Sequence, residues 1–253
     1  MKWTERRGSS RAFTLVDLAV VLATVAMLVV LLPGLAKSQR RYGHRIRCTS
    51  NLKQVALAFR GFSQDWDGLY PFQAPNVTNY IGAAPGGTLV TSNTTPADIW
   101  MHFQMLSNEL NTAKVLMCPD DRARVMQTAE DFGTNTAPMG FAATNSRNCA
   151  LSYFYGIAAT ETKPETILTG DRNLSPARWR PAYSSATQGG AVKVDVKAEW
   201  SQSVGDLMHT NIGNIAFADG SVQQIKSGDV LWRALQRAED MHGTNANLIL
   251  FPQ

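Results

Sequence analysis

Residues 13–32, FTLVDLAVVLATVAMLVVLL, form an apolar run of twenty residues with a single ionisable group, and this run constrains the chain more than any other feature. Coiled as an α-helix at 1.5 Å per residue, it extends about 30 Å, the thickness of a bilayer's hydrocarbon core. A cleaved secretory signal has a shorter apolar region, roughly 7–15 residues, that ends in small residues. Here the run closes on Leu31-Leu32-Pro33-Gly34 and a basic segment follows. The expectation is a retained membrane anchor. Its one charge, Asp17, lies a turn from the polar end. Near the bilayer centre such a carboxylate costs at least ~2.5–3.5 kcal/mol, so it calls for a partner, and an amine at Phe13 would serve.

The formal charge of +4 is unevenly spread. The first twelve residues carry Lys2, Arg6, Arg7 and Arg11 against Glu5. Residues 37–60 carry Lys37, Arg40, Arg41, Arg45, Arg47, Lys53 and Arg60 with no acid, whereas the remainder of the chain is mildly acidic. The positive-inside count does not choose an orientation, since four basic residues precede the run and five follow it closely. The basic neck suits a solvated or lipid-facing surface. No recognised nucleic-acid module accompanies it, and no nucleic-acid partner is expected.

The stretch Arg11-Ala12-Phe13-Thr14-Leu15-Val16-Asp17-Leu18 resembles the cleavage and methylation signal of type IV prepilins and type II secretion pseudopilins. That family's pattern is a short basic leader ending in a small residue, then Phe-Thr-Leu-x-Glu and an apolar helix. Ala12 stands where the family usually has Gly, and Asp17 where it usually has Glu. The resemblance implies cleavage between Ala12 and Phe13 by a prepilin peptidase/N-methyltransferase, methylation of Phe13, and an assembly role for Asp17 against a neighbouring subunit's N-terminus. It also implies an inner-membrane, single-pass protein, N-terminus cytoplasmic and head periplasmic or extracellular, whose partners are the inner membrane and other pilin-like subunits.

From residue 37 to residue 62 there is no proline, and apolar residues recur at helical spacing: Tyr42 and Ile46, then Leu52, Val55, Ala56, Phe59 and Phe62. The segment Arg47-Cys48-Thr49-Ser50-Asn51-Leu52-Lys53-Gln54 resembles the stem of one large bacterial subgroup of the same family. Residues 73–97 read as a long loop, 97–111 as a short amphipathic helix and 115–119 as a buried strand. Further strands are expected at 151–157, 166–171 and 248–251, and a helix at 230–240. Residues 214–218 and 221–225 alternate in polarity around Asp219-Gly220, a strong hairpin signal with Asp219 as first residue of a primed turn. The expected fold is α+β: a pilin-like lollipop whose long N-terminal helix, half membrane span and half stem, packs on a small antiparallel sheet. The divisions are a leader at 1–12, a transmembrane helix at 13–35, a basic stem at 36–62 and a globular head at 63–253.

His209, followed nine residues later by Asp219-Gly220, resembles the H-x9-DG signature of that subgroup, in which Cys-Pro (here Cys118-Pro119) and Gly-Asp (here Gly170-Asp171) precede it in order. His209 and Asp219 allow an acid/base or ligand pair, but a turn residue and a hairpin-base hydrogen bond account for them structurally. No nucleophile elbow, HExxH or phosphate loop is present, so no catalytic residue is assigned. Asp65-Trp66-Asp67-Gly68 lacks the acid that would complete an EF-hand loop. The three cysteines, Cys48, Cys118 and Cys149, show no C-x-x-C spacing; one bridge is possible outside the cytoplasm, with the pairing open. Neither metal nor cofactor is expected. The function expected is that of a pseudopilin-like or minor-pilin-like subunit, exported and membrane-anchored, not an enzyme. The alternative is a membrane-tethered binding module that displays its head outside the cytoplasm without polymerising.

Overall fold

The computed structural model describes residues 14–74, 99–136, 139–175, 191–195, 197–201, 208–209, 211–243 and 246–252. Ala12, Phe13 and the leader lie outside the described residues, as does most of the expected loop at 73–97. The chain divides into two compact units, Met1–Gly43 and His44–Gln253, and helix α1 comprises Leu15–Asp65.

In the first unit, α1 begins with a reciprocal cap. Asp17 Oδ2 accepts from the Thr14 amide at 3.0 Å, and Thr14 Oγ1 accepts from the Asp17 amide at 3.2 Å. This is the capping-box arrangement with the acid one methylene shorter than usual. The side chains that follow are apolar on every face and exposed: Leu15 by 83%, Val30 by 78%, and Leu22, Leu28 and Val29 by about 60% each.

The expectation of a lollipop with half its helix in a membrane is corrected here. Among the described residues, no helix is long and apolar enough to cross a membrane. The one charge of the run, Asp17, lies in the first turn of α1, and a carboxylate is costly in hydrocarbon. The single-pass inner-membrane placement is withdrawn on the same finding. What stands is an α+β chain with a small antiparallel sheet.

In the second unit, residues 44–65 of α1 bury Cys48, Leu52, Val55, Ala56, Phe59 and Phe62, a stripe at the three-to-four spacing of one helix face. Lys53, Gln54, Leu57 and Arg60 look outward. Ile46 shares the spacing but is 53% exposed, because the stripe begins only at Cys48. The helix stops at a Schellman-type closure: the Gly68 amide reaches the Ser63 carbonyl at 2.8 Å while Asp67 sits at a positive φ of 54°. Asp67 therefore ends a helix.

Among the described residues there are eight strands: β1 (Tyr153–Gly156), β2 (Ile167–Asp171), β3 (Leu174–Ser175), β4 (Ala191–Lys193), β5 (Glu199–Trp200), β6 (Ile212–Phe217), β7 (Val222–Lys226) and β8 (Leu248–Leu250). Six form one sheet in the order β4-β8-β1-β2-β6-β7 with every pairing antiparallel, and β3 pairs β5 separately. Successive residues of β1 serve opposite faces, as the period of a strand requires. Tyr153 and Tyr155 join α1, while Phe154 joins a second core with Ile215, Ile225, Leu231, Leu235 and Phe251. Leu231 and Leu235 come from helix α4 (Asp229–His242). The sheet thus has α1 residues on one face and α4 on the other. On the α1 face, the Phe59 ring stacks on Tyr155 at 4.9 Å and meets Tyr70 and Phe103 edge-on.

Two local expectations differ from the structure. Residues 97–111 hold two short helices, α2 (Ile99–Gln104) and α3 (Ser107–Leu110), separated by a turn. Residues 115–119 are no strand; Ala113–Leu116 is a 3-10 turn capped by Thr112, whose hydroxyl accepts from the Lys114 amide. A short apolar run has no periodicity to separate a buried strand from a buried turn. The β6–β7 hairpin is present, but its connection is a three-residue loop rather than a primed pair. Phe217 and Ser221 still pair across it, the Gly220 amide closes onto the Phe217 carbonyl, and of Asp219 and Gly220 only Gly220 takes a positive φ, of 84°. A type I′ turn needs both residues at positive φ.

Candidate functional site

Four separate stretches meet in a buried polar cluster at the end of the sheet away from the β6–β7 turn. The α1 stem contributes Cys48 and Thr49, the segment after the 3-10 turn contributes Cys118, Asp120 and Asp121, the end of β2 contributes Asp171 with Arg172 just after it, the approach to β6 contributes His209, and β6 itself contributes Asn214. Cys48 and Cys118 form a disulfide, and Cys149 is free.

His209 lies against this bridge. Its Nε2 is 3.4 Å from Cys118 Sγ and 3.7 Å from Asp171 Oδ2, and its Nδ1 is 3.0 Å from Asp120 Oδ2, bent away from a good hydrogen-bond angle. The residue holds a positive φ of 25°, a sparsely populated conformation for a non-glycine. Asn173 supports it by donating from Nδ2 to the carbonyls of Met208 and His209. Asp171 is fully buried; its Oδ2 accepts from both the backbone amide and the side-chain amide of Asn214, at 2.7 and 2.8 Å. Thr49 completes the chain by donating to Asn214 Oδ1 at 2.9 Å. Below it, Arg172 grips Asp121 with two parallel bonds of 2.8 Å, and the Ser152 hydroxyl donates to the same carboxylate.

Burial dominates the electrostatics. It pushes the Asp171 carboxyl up to about 6, against the opposing pull of His209 and Asn214. For His209 burial opposes the charge, but the Asp120 contact and the two carboxylates outweigh it and raise the imidazole above its ordinary value. Asp120 is lowered in turn, because His209, Arg122 and His44 outweigh its own desolvation. The contacts thus draw His209 and Asp120 toward their charged forms, while burial draws Asp171 toward its neutral form.

The residues singled out by the H-x9-DG resemblance do not stay together. Cys118, Asp171 and His209 converge, with Pro119 in the connecting turn. Asp219 and Gly220 stand at the opposite end of β6, roughly 20 Å away along a strand of this length. Asp219 instead caps its own turn, accepting from the Ser221 amide at 2.8 Å, and its carbonyl accepts from Arg60 Nη1 at 3.1 Å. A His209–Asp219 acid/base or ligand pair is therefore ruled out by the strand between them. Asp17 sits at the first turn of α1, where the Thr14 amide and hydroxyl hold its carboxyl below the usual range. The sequence reading missed Asp120, Asp121, Arg172, Asn214 and Thr49. Asp120-Asp121 follow Cys118-Pro119 directly and Arg172 follows Asp171, so proximity to the motif was the available signal.

The chemistry open to the cluster follows from its donors. Cys48, Cys118 and His209 each offer one ligand atom, and the three atoms lie within 4.8 Å of one another in buried surroundings. In the oxidised chain the two sulfurs are spent on each other. Comparison of the chain with protein-family models, with curated proteins and with solved structures finds no match.

A second buried histidine gives the fold a pH dependence. His102 lies between the rings of Phe72 and Tyr155, with neither ring nitrogen hydrogen-bonded among the described residues. Burial depresses its pKa to about 4. Between pH 6.5 and 4 the unfolded chain takes up this proton and the folded chain does not, so the histidine's contribution is present above 6.5 and is lost as the pH falls to 4. The loss is about 3 kcal/mol. Asp171 works oppositely over nearly the same window, since protonation relieves its burial. Unfolding measured from pH 7 to pH 4 for the native chain and for His102→Phe separates the two. The stability difference between them should shift by about 3 kcal/mol against the native chain; an unchanged difference would mean that His102 is not buried in neutral form.

Proposed function

We propose that the chain is a pseudopilin-like or minor-pilin-like subunit of a type II secretion or type IV pilus-type assembly. The observation that carries this reading is the first unit's helix, apolar on all faces and exposed along residues 15–30. A helix of that kind is stable only when something covers it. Each Val or Leu removed from water contributes about 1.5–3 kcal/mol, so packing several copies, or relatives, side by side through these residues is strongly favoured. The resemblance of residues 11–18 to the prepilin signal supports like helices as the cover. It also supports processing between Ala12 and Phe13 by a prepilin peptidase/N-methyltransferase.

In this reading Asp17 keeps its charge, held low by the Thr14 contacts, and meets the new amine of a neighbouring subunit's Phe13. In the second unit, a Cys48–Cys118 bridge suits an oxidising compartment. The role is structural, with no reaction assigned.

The test is the N-terminal residue and intact mass of the protein isolated from its own cells. The expected mature chain begins at N-methylated Phe13. A chain that keeps residues 1–12 overturns the reading. If processing is seen, Asp17→Ala should abolish sedimentable assemblies while the melting of residues 44–252 stays unchanged.

A further inference from the structure

The structure assigns to Cys48, Cys118 and His209 a metal site that the disulfide conceals: in the reduced chain these three bind a tetrahedral borderline-soft cation such as Zn²⁺, with the fourth position left to water. The inference rests on the buried cluster alone and is independent of the proposed assembly role.

The geometry is close to what such an ion requires. Bonds of about 2.0–2.3 Å place tetrahedral ligands roughly 3.3–3.8 Å apart. His209 Nε2 already lies 3.4 Å from Cys118 Sγ. The three ligand atoms of Cys48, Cys118 and His209 fall within 4.8 Å of one another. Once unbonded, the sulfurs need only part to about the same edge length. Two thiolates and an imidazole select zinc over magnesium or calcium, which prefer oxygen.

Two further observations point to a ligand. Asp171 is fully buried with its Oδ2, which Asn214 pins, 3.7 Å from His209 Nε2, and its Oδ1 has no hydrogen-bond partner among the described residues, so a carboxylate stands beside the same ring nitrogen. Asp120 approaches the other ring nitrogen, Nδ1, at 3.0 Å. A carboxylate behind a histidine, which orients the ring and leaves Nε2 to face the ion, is the usual support of a metal-bound imidazole.

In a newly made chain the thiols are free. In the bridged chain a reductant is needed, and a water-soluble phosphine serves. It attacks one sulfur and displaces the other as thiolate; water then hydrolyses the adduct, giving the second thiol and the phosphine oxide. The phosphine loses the two electrons that the bridge gains. Metal binding afterwards releases the two thiol protons.

The probe is cobalt(II), whose visible bands distinguish tetrahedral thiolate coordination. It is titrated into the full chain carrying Cys149→Ser, which removes the unrelated thiol, with Zn²⁺ added last to displace it. Reduced protein should take up one equivalent with tetrahedral bands and a thiolate charge-transfer band, and bridged protein none. His209→Ala should weaken binding by about 100-fold or more and alter the spectrum, and Asp120→Asn, which leaves every ligand in place, should weaken it about 10–100-fold. The inference is overturned if the reduced chain binds no cobalt, if bridged and reduced chains bind alike, or if either substitution leaves affinity unchanged. Should reduction unfold the chain, circular dichroism replaces the absorbance readout: refolding on cobalt supports the site, and failure to refold overturns it.

Discussion

Removing the Cys48–Cys118 bridge by replacing both residues with serine should lower the unfolding free energy of the second unit by about 4 kcal/mol. The bridge joins positions 70 residues apart, so the unfolded chain without it gains the freedom of a long open loop. That gain grows only logarithmically with loop length, which is why the figure is insensitive to the exact reference state. The native side loses little, because serine fills much of the same space. A loss this large is comparable to the whole stability of a modest domain, so the variant should sit near its midpoint in mild denaturant. Urea unfolding of the native and double-serine chains measures it, and the urea dependence should steepen in the variant, since its unfolded state exposes more surface. A loss below about 1 kcal/mol would mean that the segment between the cysteines is already held close in the unfolded ensemble.

The same bridge explains why the stem was easier to recognise than to understand. Residues 47–54, RCTSNLKQ, were legible as helix from their spacing, and Leu52 as core. Their tertiary roles were not. Cys48 bonds Cys118, Thr49 donates to Asn214, and Asn51 donates to the Met117 carbonyl at 3.1 Å. Each partner lies 66 or more residues away, and no local pattern encodes such a pairing. Local signals performed well where the physics was local. Asp219-Gly220 marked the hairpin because a glycine must take the positive φ, and Leu231, Leu235 and Ala238 marked α4 because one face of a short helix had to be buried. They failed where length or burial decided. The apolar run at 13–32 reads as a membrane span on counting, yet among the described residues no helix qualifies. The strands β3, β4 and β5, of two or three residues each, are too short to show a period.

The candidate site was half legible for the same reason. His209, Cys118 and Asp171 were marked by an ordered motif, but Asp219 was grouped with them through sequence spacing that a strand converts into distance. The charged residues that complete the cluster had no motif. Asp121 and Arg172 in particular belong to no spacing pattern, although both are buried and bonded to one another.

That pair supplies the second large effect. Arg172→Met should destabilise the second unit by about 3–5 kcal/mol, because it leaves Asp121 as an uncompensated charge at a fully buried position, where among the described residues the Ser152 hydroxyl still donates to it. The figure measures the cost of stranding a charge and does not measure the strength of the bond. A pair taken out of water spends most of its mutual attraction on desolvation, so replacing both partners by apolar residues of similar volume is far less harmful than replacing one. Asp121→Leu alone removes the carboxylate from the buried guanidinium and should also destabilise the unit. The double variant, Asp121→Leu with Arg172→Met, should cost several kcal/mol less than the two single losses added together. Strict additivity in that cycle would show that water reaches the pair and that the fork of 2.8 Å bonds is screened. Strong coupling would identify it as the fixed point from which the end of β2 presents Asp171 to His209.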